Sequence, residues 1–148
     1  MFENMLQISP FEIEIICKLL LSALLGGIIG LEREMHKSSA GVKTYSIVTM
    51  GSALFTLSAA TIDIGIAGGV MTGVGFLGAA VVFRSENRIF GITTASLIWS
   101  TSAIGFAVGI NYYFAAITAT AIIFLILLPI EHLERRYLKN HAQTHSDR

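Results

Sequence analysis

From Ile89 to Ile130 the chain carries no charged residue. That run is about twice the ~20 residues a helix needs to cross the hydrocarbon core of a bilayer. Two shorter uncharged runs precede it, Thr44 to Ile62 and Ile64 to Phe83. Phe11 to Leu31 is charged only in its first turns, at Glu12, Glu14 and Lys18. Buried strands of a soluble sheet are roughly 4–8 residues long and bounded by turn signals, and these runs show neither property. Gly109-Ile110-Asn111-Tyr112 divides the longest run at a turn. The pattern predicts an all-α polytopic transmembrane helix bundle. Five spans are expected near residues 11–31, 44–62, 64–83, 89–108 and 112–128, in one transmembrane domain over 1–130.

Composition agrees. Charged residues make up 14% of the 148-residue chain and hydrophobic residues 53%, against roughly 25% charged in soluble domains. Formal net charge is zero, and no nucleic-acid partner is expected; the placement of the charges is more informative. Arg33, Lys37 and Lys43 fall between spans one and two, Arg84 and Arg88 between three and four, and Arg135, Arg136, Lys139 and Arg148 after span five. Only Lys18 lies toward the other side. The positive-inside rule then places the N-terminus outside and the C-terminus in the cytoplasm. The acidic start, MFENMLQISPFEIE, lacks the basic region and cleavage site of a signal peptide, so the first span is expected in the mature protein. The single cysteine, Cys17, reads as a small buried hydrophobe. After Pro129, residues 131–148 are expected to form a cytoplasmic amphipathic helix and a disordered tail, with Ile130, Leu133 and Tyr137 on one face.

Residues 65–84, GIAGGVMTGVGFLGAAVVFR, hold six glycines in an otherwise apolar stretch. Glycine weakens a helix by about 1 kcal/mol relative to alanine. In lipid, however, small residues let helix backbones approach and pack. Gly65, Gly69 and Gly73 form a tandem GxxxG, widened by Gly68, Gly75 and Gly78. Gly26 and Gly30 repeat the spacing in span one, and Gly105 and Gly109 in span four. Span three is small on more than one side, which predicts a central position in the bundle. The same glycines also fit a second role, exposing backbone carbonyls to a ligand or breaking the helix at depth.

LGGIIGLERE (25–34), AGVKTYSIVTMGSALFTL (40–57), VMTGVGFLGAAVVFR (70–84) and GITTASLIWSTSAIGFAVG (91–109) resemble, in this order, the MgtC/SapB family of bacterial and archaeal membrane proteins. Ala79-Ala80 stand where the family often has glycine, and the link between spans two and three is very short. The resemblance implies a short form without the C-terminal cytoplasmic domain of longer relatives. It also implies a multi-pass protein of a prokaryotic plasma membrane, linked to magnesium homeostasis and to survival of pathogens in host cells. Some members are thought to restrain a membrane partner, the proton-translocating ATP synthase.

Asp63 is the lone acid near spans two and three, and the resemblance marks it as the best single site for an ion. A Mg²⁺ site wants several oxygen ligands, so a turn residue is the competing reading. Glu32, Arg33, Glu34 and Arg84 make a cytoplasmic ion-pair cluster or, alternatively, ordinary anchoring charges; the family block repeats Glu32 and Arg33. Thr93, Thr94, Ser100 and Thr101 either bond their own helix and its neighbours or line a polar cavity. Trp99, near mid-span, is expected to pack on a glycine face. The four histidines lie in loops or the tail, and no catalytic motif or metal-ligand pattern occurs. No catalysis and no cofactor are therefore expected. Two functions remain: a non-catalytic regulator that binds a membrane partner through small-residue faces and self-associates, as a dimer for example, or a small transporter or channel for Mg²⁺ or another ion.

Overall fold

A computed structural model describes residues 9–60, 65–85 and 88–144. Among them are five α-helices: α1 (Pro10–Met35), α2 (Val42–Ala60), α3 (Gly65–Ala80), α4 (Ile92–Gly109) and α5 (Tyr113–Thr144). Each overlaps one of the five expected segments. α1 and α4 are long and apolar enough to cross a membrane, and shorter apolar helical segments run over Gly68–Ala80 and Tyr113–Leu128.

α1 starts where its sequence supplies a capping box. Ser9 Oγ accepts the Glu12 N–H, Glu12 Oε2 accepts the Ser9 N–H at 2.6 Å, and Pro10 occupies the first turn. α1 and α4 end alike. Lys37 (φ 54°) and Asn111 (φ 67°) adopt the left-handed conformation. The following N–H groups reach back, Ser38 to the Arg33 carbonyl at 3.0 Å and Tyr112 to the Ala107 carbonyl at 2.8 Å. These paired bonds satisfy the last carbonyls and turn the chain sharply.

Three boundaries differ from expectation. α3 stops at Ala80 and α4 begins at Ile92, because residues between them form a two-stranded antiparallel hairpin, β1 (Phe83–Ser85) and β2 (Arg88–Phe90). Gly91, at φ 85°, then caps α4; a Cβ there would collide with the Val81 carbonyl, so only glycine turns the chain at this point. α5 does not break after Pro129 but continues to Thr144, as membrane helices can where freed backbone groups find other partners.

α4 packs against all four other helices, α2 lies between α1 and α4, and α5 sits against α1 and α4; α3 lies at the edge, against α4 and part of α2. The expected central position of α3 is therefore corrected. α2 presents hydroxyls and alanine at Thr49, Ser52, Ala53 and Thr56, all buried, and two glycine faces close on it from either side. A Cβ on Gly26 would stand 2.5 Å from the Tyr45 carbonyl, and one on Gly30 would stand 2.6 Å from Val42 Cα. On the other side a Cβ on Gly105 would strike the Thr49 carbonyl, and one on Gly109 would stand 2.7 Å from Thr56.

The interior mixes polar side chains with an apolar core that includes Ile29, Ile104 and Val108, and the surface is strongly apolar. Ser22, Glu32, Thr49, Thr56, Thr101 and Ser102 are buried, whereas Phe55, Phe76, Phe114 and Leu125 are exposed. A soluble domain distributes them the other way, so this surface is made for lipid. The same logic corrects two expectations. Cys17 is exposed, and Trp99 is 51% exposed rather than packed on glycine, because the inward stripe of α4 runs through Leu97, Ile98, Thr101, Ser102, Gly105 and Val108.

Candidate functional site

Two places stand out, a buried polar cluster where α1 meets α2 and the open face of α3. At the first, Glu32 is 0% exposed. It lies in the last turns of α1. Arg33 Nη1 lies 3.6 Å from Glu32 Oε2, and His36 Nδ1 lies 3.0 Å from Oε1. Nδ1 of His36 is closer, at 2.7 Å, to the Glu32 main-chain carbonyl. Both carboxylate oxygens of Glu32, Nε of Arg33 and the hydroxyl of Tyr45 are buried without a hydrogen bond among the described residues. Tyr45 lies in the first turn of α2, fully buried.

Glu34 takes another part. Its Oε2 accepts the Val42 N–H at 2.9 Å, placing a carboxylate at the positive end of α2. The Ser38 and Ser39 hydroxyls lie 3.4 and 3.5 Å from Thr94 Oγ1 and tie the loop to the start of α4. Of the four residues expected to cluster, Glu32 and Arg33 pair, Glu34 caps α2, and Arg84 sits exposed on β1. Among the described residues no group of three His, Cys, Asp or Glu is placed to hold a metal. Asp63 lies outside the described residues.

The hydroxyls of α4 divide. Thr94 and Thr101 are buried, Thr93 is exposed and Ser100 is half-buried. Thr101 Oγ1 donates to the Leu97 carbonyl at 2.8 Å, and Ser100 Oγ to the Ser96 carbonyl at 2.8 Å. Thr49, Thr56 and Thr120 likewise bond carbonyls one turn back. Ser52 and Ser102 join α2 to α4 at 3.0 Å. These groups satisfy one another in close packing. Near the other end of α1, Lys18 is 6% exposed and pairs with Glu14 at 2.6 Å.

The sequence reading passed over Tyr45, His36 and Lys18 as members of buried sites. The spacing of Tyr45, Thr49, Ser52 and Thr56, at i, i+4, i+7 and i+11, was the available signal for the buried stripe of α2.

α3 contrasts with the helices around α2. A Cβ on Gly68, Gly69, Gly73 or Gly75 would meet nothing within 4 Å; Gly78 alone of this set approaches a neighbour, the Ala95 carbonyl at 3.4 Å. Gly65, Gly68, Thr72, Gly75 and Ala79 share one exposed face. Gly69 and Gly73, on the other side, line an apolar groove of about 540 Å³ shared with α2.

The sequence profile of the MgtC family matches residues 19–136. The chain is 36% identical over 138 residues to the protein named putative magnesium transporter YhiD of Escherichia coli K12, covering 84% of this chain and 64% of that protein. It is 38% identical over 112 residues to protein MgtC of Salmonella typhimurium LT2, covering 73% of this chain and 48% of MgtC. An uncharacterized protein of Haemophilus influenzae is 33% identical over 150 residues, covering 91% of this chain and 63% of that protein. The chain thus spans about half to two thirds of the length of these relatives. No solved structure matches it. By the extent of the profile match and by these identities, the chain belongs to the MgtC family.

Proposed function

We propose that this chain is a five-span plasma-membrane protein of a prokaryote, N-terminus outside and C-terminus cytoplasmic. On this reading it serves magnesium homeostasis without catalysis, by holding a helix of a membrane partner against the outward face of α3. The observation that carries the reading is the open space around Gly68 and Gly75. Glycine is unfavourable in a helix, and in α1 and α4 it is repaid by backbone contact with α2. On the outward face of α3 no described residue of the chain makes such a contact, and a partner helix would supply it. In lipid a small, flat face is the one another helix packs on closely. The magnesium link rests on family membership and on the name of the YhiD relative. The ATP synthase implied by the sequence resemblance is the first partner to test.

Buried Lys18 and Glu32 favour a second reading, an ion pathway, because ionisable groups within a membrane mark such paths by default. The close packing between them favours the first. Liposomes holding a Mg²⁺-sensitive dye separate the two. Folded protein is expected to give no uptake above protein-free liposomes. Uptake abolished by Asp63→Ala would make the chain a transporter.

A further inference from the structure

The groove between α2 and α3 opens to the membrane, and its ends differ. Ile47, Gly51 and Phe55 form one wall, and Gly69, Gly73 and Leu77 form the other. Each wall covers eight residue steps, about 12 Å of helix. One leaflet of a ~30 Å hydrocarbon core is about 15 Å deep, so the groove covers most of the depth of a single leaflet. Its walls are apolar, and the two α3 glycines leave a furrow no side chain of the chain fills.

One end of this furrow is basic. Lys43, exposed, stands one turn before Ile47 on the same face of α2. From Leu77, α3 runs one more turn and then into the hairpin, whose exposed Arg88 and Arg84 lie at this same end. Phe83 and Phe90 stack across the hairpin at 5.4 Å and are both exposed. Exposed aromatic rings beside arginines suit the depth at which acyl chains give way to headgroups.

We propose that this groove is a binding site for an anionic phospholipid of the cytoplasmic leaflet. An acyl chain lies along Gly51, Gly69 and Gly73, and the phosphate is held by Lys43 and Arg88. A second copy of the chain or an apolar partner helix would fill the furrow but would supply no anion to Lys43 and Arg88. An anionic lipid complements both, and basic sites between helices on the cytoplasmic side recognise such headgroups. The proposal rests on the membrane orientation given above, and it uses the opposite side of α3 from the partner face.

The test is native mass spectrometry of the full chain released from detergent, supplied with equimolar phosphatidylglycerol and phosphatidylcholine. Phosphatidylglycerol adducts should dominate. Lys43→Gln with Arg88→Gln should lower that preference roughly 30-fold, from about 1 kcal/mol for each cation near the headgroups. Lys43→Arg with Arg88→Lys should keep the preference and serves as the folded control. Gly73→Leu should abolish retention of either lipid. Equal retention of the two lipids by the unaltered protein would overturn the proposal, as would a preference that survives loss of both cations. Dimers that Gly73→Leu turns into monomers with their lipid retained would assign the groove to a second copy instead. Gly68→Leu should leave the adducts unchanged, so the failure of this site and the failure of the partner face are read separately.

Discussion

The glycines of α1 and α4 and the glycines of α3 obey the same spacing, yet the molecule uses them in opposite ways. Gly26, Gly30, Gly105 and Gly109 stand where the backbone or a short side chain of α2 leaves no room for a Cβ. Gly68, Gly69, Gly73 and Gly75 stand in open space. The difference teaches that a GxxxG pattern specifies a helix able to be approached, and says nothing of what approaches it. In the first region the partner is α2, whose own inward side chains are small or hydroxylated at Thr49, Ser52, Ala53 and Thr56. In the second, no such partner is present among the described residues.

Substitution sharpens the contrast. Gly105→Leu should have the largest effect, because its Cβ collides with the main chain of Thr49, which cannot swing aside. Overpacking of this kind costs about 1–3 kcal/mol or more. Loss of monodisperse protein after detergent extraction is the expected result. Glu32→Ala should come next: it leaves Arg33, only 18% exposed, beside an emptied buried site. Breaking a buried pair costs about 3 kcal/mol, to be read as a lowered thermal midpoint. Ser52→Ala removes the bond to Ser102 between α2 and α4 and should cost about 1 kcal/mol in the same assay. Gly68→Leu should be the mildest, within ~0.5 kcal/mol of the parent, since no atom lies near the new side chain. A large loss of stability there would break the comparison.

Much of the architecture was legible in the sequence because lipid imposes a length and an absence of charge on each span. The uncharged runs located all five helices, and Asn111 located the turn before α5. Helix ends were less legible. Val81, Val82 and Phe83 are as apolar as the helix before them, so hydropathy could not show that the chain leaves α3 at Ala80 to form a hairpin. Position in the bundle was misread for a similar reason. The glycine-rich α3 looked central but lies at the edge, and the hydroxyls of α2 signal its buried face only once their spacing is read as a stripe. In the buried cluster, Glu32 and Arg33 were legible as a pair near the end of α1. Tyr45 was not, because it joins through the fold of the α1–α2 loop, whereas His36 stands four residues after Glu32 at the end of α1, a spacing that was open to reading.

The claim that the outward side of α3 is held by a membrane partner is tested most directly by photo-crosslinking in native membranes. A photoreactive residue replaces exposed Thr72, between Gly68 and Gly75 on that face. The account predicts one discrete protein adduct, lost when Gly75→Leu is added although the protein remains folded and abundant. Adducts with lipid alone, or a protein adduct indifferent to Gly75→Leu, would contradict it.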